Sequence, residues 1–177
     1  MKFNDTYISG WSNLKKVKTK LILPSSIDEI LKIIYYAKYN NYKIAIRGNG
    51  CSFGDQSYLE NEITIDLSNF NKILEYNKEK KYILVQAGAS LLEIYNKIIN
   101  NIFILESTPG GLQVSVGGAV ANNIHGKDCF KNGYFEDNVI YIKYIDSEGN
   151  IYEIKKENNT NEIENIFGSM GLFCIIL

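Results

Sequence analysis

Two glycine-rich segments, residues 47–55 and 108–123, constrain the fold of this chain more than any other feature. The first reads RGNGCSFGD and the second reads TPGGLQVSVGGAVANN. Glycine lacks a Cβ atom, so it adopts positive φ freely and lets backbone N–H groups approach an anion closely. Two such segments in a chain of 177 residues predict one extended anionic ligand between them. Backbone amides, with the hydroxyls of Ser52 and Ser115, are the expected donors.

The context of the first segment excludes two common nucleotide-binding motifs. A Rossmann fingerprint needs a helix directly after its glycines, whereas residues 55–68 carry no helical stripe and lead into a strand. A Walker A loop ends in Gly-Lys-Ser or Gly-Lys-Thr, and this segment does not. Arg47 is the only cation in the two segments, which favours a buried, tightly held cofactor. A glycine-rich scaffold without any ligand is the alternative.

Composition narrows the class of protein further. A net charge of -1 provides no basic field for nucleic acid. The three cysteines, Cys51, Cys129 and Cys174, form no CxxC pair or His/Cys cluster, so neither a metal site nor a disulfide framework is predicted. No apolar run approaches the roughly 18 residues of a membrane-spanning helix. We therefore expect a cytoplasmic protein.

Two helix starts are predicted from capping-box spacing, in which two N-terminal donors are satisfied reciprocally. Ser26 with Glu29 and Ser90 with Glu93 have this spacing. Apolar residues follow at helical intervals, which predicts one helix to about residue 40 and another from residue 91. Strands are expected at 42–46, 63–67 (half-buried), 82–87, 102–105, 139–145 and 151–154, the last two as a hairpin, with a short helix at 162–170 and a final strand.

This order of elements predicts an α+β chain with two lobes. The first, about residues 15–105, mixes helices and strands, and the second, about 106–177, has a largely antiparallel sheet. The sequence finishes in GLFCIIL, an apolar run that needs neighbours to cover it. We therefore expect a fragment of a longer protein, and a terminal strand that finishes inside a sheet is the alternative.

The chain resembles a known family at three ordered motifs, RGNGCSFGD, VQAGASL and TPGGLQVSVGGAVANNIHGKD. They resemble the FAD-binding domain of the vanillyl-alcohol oxidase / p-cresol methylhydroxylase superfamily, and within it the decaprenylphosphoryl-β-D-ribose oxidase-like enzymes. The resemblance runs from Gly10-Trp11 to the end of the chain but covers only the front part of a typical member. It implies the two-lobed α+β fold of the p-cresol methylhydroxylase type, FAD as cofactor, and a C-terminal substrate domain that is absent here.

The resemblance also implies cofactor contacts, residue by residue. The first pyrophosphate loop corresponds to Arg47, Gly48, Asn49, Gly50, Cys51, Ser52, Phe53 and Gly54. The second loop corresponds to Gly110, Ser115, Gly117 and Gly118. The segment along the flavin corresponds to Asn122, Asn123, Ile124 and His125, and a late backbone contact corresponds to Ile176. Lys127 would add positive charge beside His125, although both are equally typical of ordinary surface or structural residues.

The residue at position 51 bears on whether the flavin is attached covalently. Relatives that attach flavin covalently often carry histidine at this position, so the resemblance implies non-covalent FAD. A small residue packed beside the cofactor is the simplest role for Cys51, and a cysteinyl link is the alternative.

The resemblance implies an FAD-dependent oxidoreductase that moves hydride to flavin N5 from an alcohol group of a sugar or a polyprenyl-phosphate-linked ribose. A lipid-linked substrate would bring the protein to a membrane. An alditol or aldonolactone oxidase and a non-catalytic FAD-binding fragment are the alternatives. The sequence assigns no catalytic residue, and the electron acceptor stays open.

Overall fold

Three β-sheets with helices packed against them organise the described part of the chain, which is residues 2–101, 103–157 and 163–177 of a computed structural model. The strands are β1 (Asn4–Ile8), β2 (Val17–Ile22), β3 (Ile44–Arg47), β4 (Ile63–Asp66), β5 (Ile73–Asn77), β6 (Tyr82–Val85), β7 (Tyr141–Ile145), β8 (Ile151–Lys155) and β9 (Ile175–Ile176). The α-helices are α1 (Ile27–Tyr39), α2 (Leu91–Ile98), α3 (Val116–Ala121) and α4 (Cys129–Asn132). Short 3₁₀ turns occupy Leu67–Asn69, Ile99–Asn101 and Phe135–Asn138.

The first sheet has the order β1-β2-β4-β3, with β4 parallel to both β2 and β3. Ile63, Thr64 and Ile65 of β4 are all buried, so the prediction of a half-buried strand is wrong. A parallel strand is covered on both faces, and here the polar Thr64 is accommodated because its hydroxyl lies 2.8 Å from that of Thr19. That partner lies on β2, a strand that the sequence pattern did not predict.

Both predicted helix starts are confirmed. Ser90 and Glu93 form the full reciprocal capping box at the start of α2. At α1, Ser26 Oγ accepts from Glu29 N at 3.2 Å, but the Glu29 carboxylate accepts from Ser25 N at 2.7 Å. The donor to the Glu29 carboxylate is therefore the N–H of Ser25, one residue before the N–H of Ser26 that a capping box predicts. The buried face of α1 is formed by Ile30, Ile33, Ile34 and Ala37.

The predicted hairpin is also confirmed, since β7 and β8 pair antiparallel. Its turn is held by Asp146, whose Oδ1 accepts from Glu148 N and Asn150 N, each at 2.9 Å. Strand β9 pairs antiparallel with the other edge of β7. The mixed helices and largely antiparallel sheet agree with the α+β prediction, while the lobe boundary near residue 105 stays a prediction.

Two further predictions differ from the structure. Residues 103–105 form no strand, and Ile102 lies outside the described residues. Residue 162, the first residue of the helix expected at 162–170, lies outside the described residues, and only residues 163 and 164 of the remainder are helical before turns follow. Gly168 and Met170 have φ of 71° and 54°, values that do not continue a right-handed helix.

Candidate cofactor site

A groove of about 390 Å³ lies where the two glycine segments meet. Gly50 from the first segment and Gly117 from the second both line it, so the two segments share one concave surface. The full lining is Ile46, Gly48, Asn49, Gly50, Cys51, Ser52, Phe53, Gln56, Ser57, Leu67, Ala87, Val114, Ser115, Gly117, Gly118, Ala121, Asn122, Ile124, Met170, Gly171, Cys174 and Ile176.

The two segments are in direct contact. Asn49 Nδ2 donates to Gln113 O at 2.8 Å. A Cβ atom on Gly48 would lie 2.0 Å from Ser115 Oγ, which is far inside van der Waals contact. Glycine at position 48 is therefore what allows the first segment to lie this close to the start of α3.

The backbone of the first segment is tethered through its carbonyls. Trp11 N donates to Ser52 O at 2.8 Å, and Ser12 Oγ donates to Phe53 O at 2.5 Å. Within the described chain, the N–H groups of residues 49–54 have no protein acceptor. Backbone donors at a concave surface need water or a ligand as partner, and successive free N–H groups form an anion-binding concavity.

The second segment uses its backbone differently. Val116 N donates to Ala89 O at 2.7 Å and Gly117 N donates to Ala87 O at 2.8 Å. Gly118 N donates to Ser115 Oγ at 3.3 Å, the N-cap of α3. The expectation that amides of both segments bind the ligand is therefore wrong for these three groups, because protein acceptors already satisfy them.

The Arg47 side chain packs against the loop that follows it and is not among the residues that line the groove. Its Nη1 donates to Ser9 O at 3.0 Å and to Ser57 Oγ at 3.2 Å. Its Nε lies 3.6 Å from Asp66 Oδ2, and both side chains are more than four-fifths buried. A Cβ atom on Gly50 would lie 2.1 Å from Arg47 Nη2. The guanidinium therefore supports the loop, and its charge is balanced by Asp66.

The groove lining that the structure describes carries no carboxylate, amine or guanidinium side chain. Its two titratable groups are the thiols of Cys51 and Cys174. Burial raises the pKa of Cys51, against an opposing effect of the Arg47 charge, and burial raises the pKa of Cys174 to about 12. Both thiols are therefore protonated and neutral near pH 7.

Five of the sequence-predicted cofactor residues do not line the groove: Arg47, Gly54, Gly110, Asn123 and His125. The Asn123 side chain exchanges two hydrogen bonds with Glu136, at 3.0 and 3.1 Å, and so holds the 3₁₀ turn Phe135–Asn138. The exposed His125 has Nδ1 3.1 Å from Gly126 O, and its ring stands edge-on to Tyr134 at 5.3 Å. Both side chains have structural partners outside the groove.

The other twelve predicted residues line the groove together with ten that sequence reasoning missed. The missed residues are Ile46, Gln56, Ser57, Leu67, Ala87, Val114, Ala121, Met170, Gly171 and Cys174. Several flank the glycine segments, so proximity in the sequence was an available signal. Met170 had none, because it reaches the groove through the hydrogen bond from its N–H to Ala121 O at 2.7 Å.

Metal binding and membrane spanning find no support in the described residues. They contain no group of three or more His, Cys, Asp or Glu side chains arranged to hold a metal ion. None of the described helices is long and apolar enough to cross a membrane.

Open backbone donors beside a neutral groove fit a dinucleotide cofactor whose diphosphate is bound by amides. A family model described as an FAD binding domain matches residues 19–155, which is most of the chain. The chain belongs to this family, and FAD is its cofactor.

The chain is also similar to individual proteins. It is 26% identical over 158 residues to cytokinin dehydrogenase 2 of Arabidopsis thaliana, covering 88% of this chain and 31% of that protein. It is 23% identical over 154 residues to L-gulonolactone oxidase of Mus musculus, covering 87% and 34%. It is 24% identical over 172 residues to decaprenylphosphoryl-beta-D-ribose oxidase of Mycolicibacterium smegmatis, covering 96% and 37%. The chain thus spans about a third of the length of these relatives.

A solved structure has the same fold. Alkyldihydroxyacetonephosphate synthase matches with a TM-score of 0.78 at 23% identity, covering 92% of this chain and 31% of that one. This similarity confirms the predicted fold class.

Proposed function

We propose that this chain is the cofactor-binding portion of an FAD-dependent oxidoreductase that oxidises an alcohol group of a sugar or of a polyprenyl-phosphate-linked ribose. FAD would supply the hydride-accepting chemistry at N5, while the protein positions and tunes it. The observation that carries the proposal is the row of N–H groups of residues 49–53, which line one wall of the groove and have no protein acceptor within the described chain. The names of the ribose oxidase and the gulonolactone oxidase support the substrate class.

The open amides of the first segment are the proposed partners of the FAD diphosphate. Ser52 would add a hydroxyl donor, and Gly48 would keep that wall close to Ser115. The remaining predicted contacts that line the groove, Gly117, Gly118, Asn122, Ile124 and Ile176, would contact FAD by packing or through backbone groups. Cys51 would be a neutral packing residue, which supports non-covalent FAD, because a thiol with a raised pKa is a poor nucleophile.

A second candidate function is FAD binding without turnover by this chain alone. The observation that favours it is the absence of any carboxylate, imidazole or amine among the described residues that line the groove. Oxidation of an alcohol requires a proton acceptor for the hydroxyl. We therefore propose that turnover needs side chains that this groove does not contain. An alditol or aldonolactone substrate is the alternative within the oxidoreductase class.

One preparation tests these proposals in sequence. We expect the purified chain to show flavin absorption bands, or to acquire them with added FAD, and to release all flavin on acid precipitation. Flavin that stays with the precipitate would indicate the cysteinyl link instead. A chain that neither retains nor binds FAD would contradict the proposed function.

The substrate class is tested by anaerobic mixing of the FAD-loaded chain with a gulonolactone, an alditol and a polyprenyl-phosphate ribose. Loss of the flavin bands with the ribose, and not with the other two, is the result expected for the leading proposal. Bleaching with the lactone or the alditol would favour the aldonolactone or alditol alternative. Retention of FAD with no bleaching by any substrate would favour the binding-only function.

A further inference from the structure

A short N-terminal segment, residues 9–12, lies directly behind the first glycine segment, and we call it the N-terminal brace. It precedes residues 19–155, the region matched by the family model. Trp11 N and Ser12 Oγ donate to two successive carbonyls of the loop, Ser52 O and Phe53 O. Ser9 O accepts from the Arg47 guanidinium at 3.0 Å. The brace is therefore bonded both to the loop and to the side chain that supports it from below.

Gly10 makes the closest approach in this contact. The residue is buried, and a Cβ atom there would lie 2.3 Å from Gly54 O and 2.7 Å from Ser52 O. Both neighbours are backbone atoms, which do not rotate away as a side-chain end does. Any larger residue at position 10 must therefore displace the loop or the brace.

Peptide geometry links these contacts to the open amides. In a trans peptide unit the carbonyl and the N–H point in opposite directions, and the described chain has no cis peptide bond. The carbonyl of Ser52 shares a peptide unit with the N–H of Phe53, and the carbonyl of Phe53 shares one with the N–H of Gly54. Because the brace binds both carbonyls, both N–H groups point away from it, and neither has an acceptor in the described part of the chain.

We propose that the N-terminal brace positions the first loop for cofactor binding by fixing the direction of the Phe53 amide, whose residue lines the groove, and of the Gly54 amide that follows it. Gly10 and Ser12 are the positioning residues, and they act through the loop without touching FAD. This inference rests on the proposed function, since it assigns a role in the same site to residues outside the family match.

The test is FAD affinity, measured by titration of the apoprotein of the full chain. We expect Gly10→Ala to weaken binding at least tenfold, because the loop must shift. Ser12→Ala removes one hydrogen bond and should weaken binding about threefold. Leu14 lies two residues after the brace and is 91% exposed, so Leu14→Ala is the matched control. Its FAD affinity should stay within twofold of that of wild type. Wild-type affinity in both Gly10→Ala and Ser12→Ala would overturn the inference.

Nitrogen–proton correlation spectra separate positioning from general destabilisation. In Ser12→Ala apoprotein we expect the amide signals of residues 52–54 to move while those of β7 and β8 stay in place. Unchanged loop signals would overturn the inference, and so would changes spread evenly over the chain. This measurement needs no cofactor, so it tests whether the brace positions the loop even if wild type fails to bind FAD, a failure that would contradict the proposed function. If Gly10→Ala does not fold, Ser12→Ala supplies both readouts.

Discussion

In the first glycine segment, the N–H groups of residues 49–54 have no acceptor among the described residues, and the carbonyls of Ser52 and Phe53 bind neighbouring structure. In the second segment, by contrast, the N–H groups of three successive residues have protein acceptors. Val116, Gly117 and Gly118 donate to Ala89 O, Ala87 O and Ser115 Oγ, respectively. Both stretches are rich in glycine, yet the N–H groups of the first are open while these three of the second are bonded within the fold.

The glycines differ in the same way. Gly50 has φ of 67°, a backbone conformation that side chains disfavour, and it lies against the Arg47 guanidinium. Gly117 lies in α3, where a Cβ atom would be 2.9 Å from Ala87 Cβ. The first glycine permits a loop conformation, while the second permits close packing. Glycine content alone therefore indicates close approach without revealing which backbone atoms remain for a ligand.

The largest effect is expected at the support beneath the first segment. Arg47→Gln leaves the mostly buried Asp66 carboxylate without its cation, and breaking such a pair costs about 3 kcal/mol. The expected cost lies at the low end of the range for broken buried ion pairs because the Nε to Oδ2 distance is 3.6 Å. Urea unfolding of the apoprotein measures the change in free energy.

Lys15→Gln is the control for Arg47. Its ion pair with Glu60 is 3.1 Å long, but both side chains are more than half exposed, so solvent screens it and no measurable change is expected. Equal stability of Arg47→Gln and wild type would mean that the first segment does not depend on this support.

The contact between the segments predicts the next largest effect. Gly48→Ala brings a Cβ atom against Ser115 Oγ, and overpacking of this kind costs about 1–3 kcal/mol, so FAD should bind about tenfold more weakly. Adding Ser115→Ala removes the clashing oxygen and should restore part of the affinity. Gly111 provides the matched comparison, because a Cβ atom there would meet only the Gln113 side-chain oxygen, at 3.3 Å.

Titration of FAD into Gly48→Ala, the double variant and Gly111→Ala measures this coupling. Gly111→Ala should bind as wild type does. Strictly additive effects of Gly48→Ala and Ser115→Ala would contradict the direct contact between the two segments.

Two helix caps give a smaller, more selective effect. Ser90 caps α2 and does not line the groove, whereas Ser115 caps α3 and does line it. Replacement of either by alanine should reduce the free energy of unfolding by about 1 kcal/mol. Only Ser115→Ala should also weaken FAD binding. Equal loss of affinity in both variants would indicate that binding follows overall stability and not the wall of the groove.

The smallest effect is expected from salt. No described residue that lines the groove carries a charged side chain, so screening has little to weaken. The dissociation constant for FAD should change by less than about twofold between low and physiological ionic strength. A steep loss of affinity with salt would place a cation, such as Arg47 or Lys127, on the diphosphate and would remove the contrast between the segments.

Local sequence signals predicted α1, α2 and the hairpin because their determinants are local: a cap, a stripe of apolar residues or a turn. They missed β2 and predicted β4 as half-buried, whereas the buried Thr19 and Thr64 satisfy each other across these two strands, which are distant in sequence. Contiguous motifs identified the two walls of the groove. They did not identify Met170, because the chain topology brings that residue to the groove. They also did not show which N–H groups are bonded within the protein, because the acceptors lie elsewhere in the fold.

The most direct test follows each backbone amide as FAD is added to the apoprotein. Nitrogen–proton spectra should show large changes and new protection from hydrogen exchange for residues 49–54. The amides of residues 116–118 should be protected before FAD is added and should stay protected. Protection that appears first at residues 116–118, with residues 49–54 unaffected, would contradict the account.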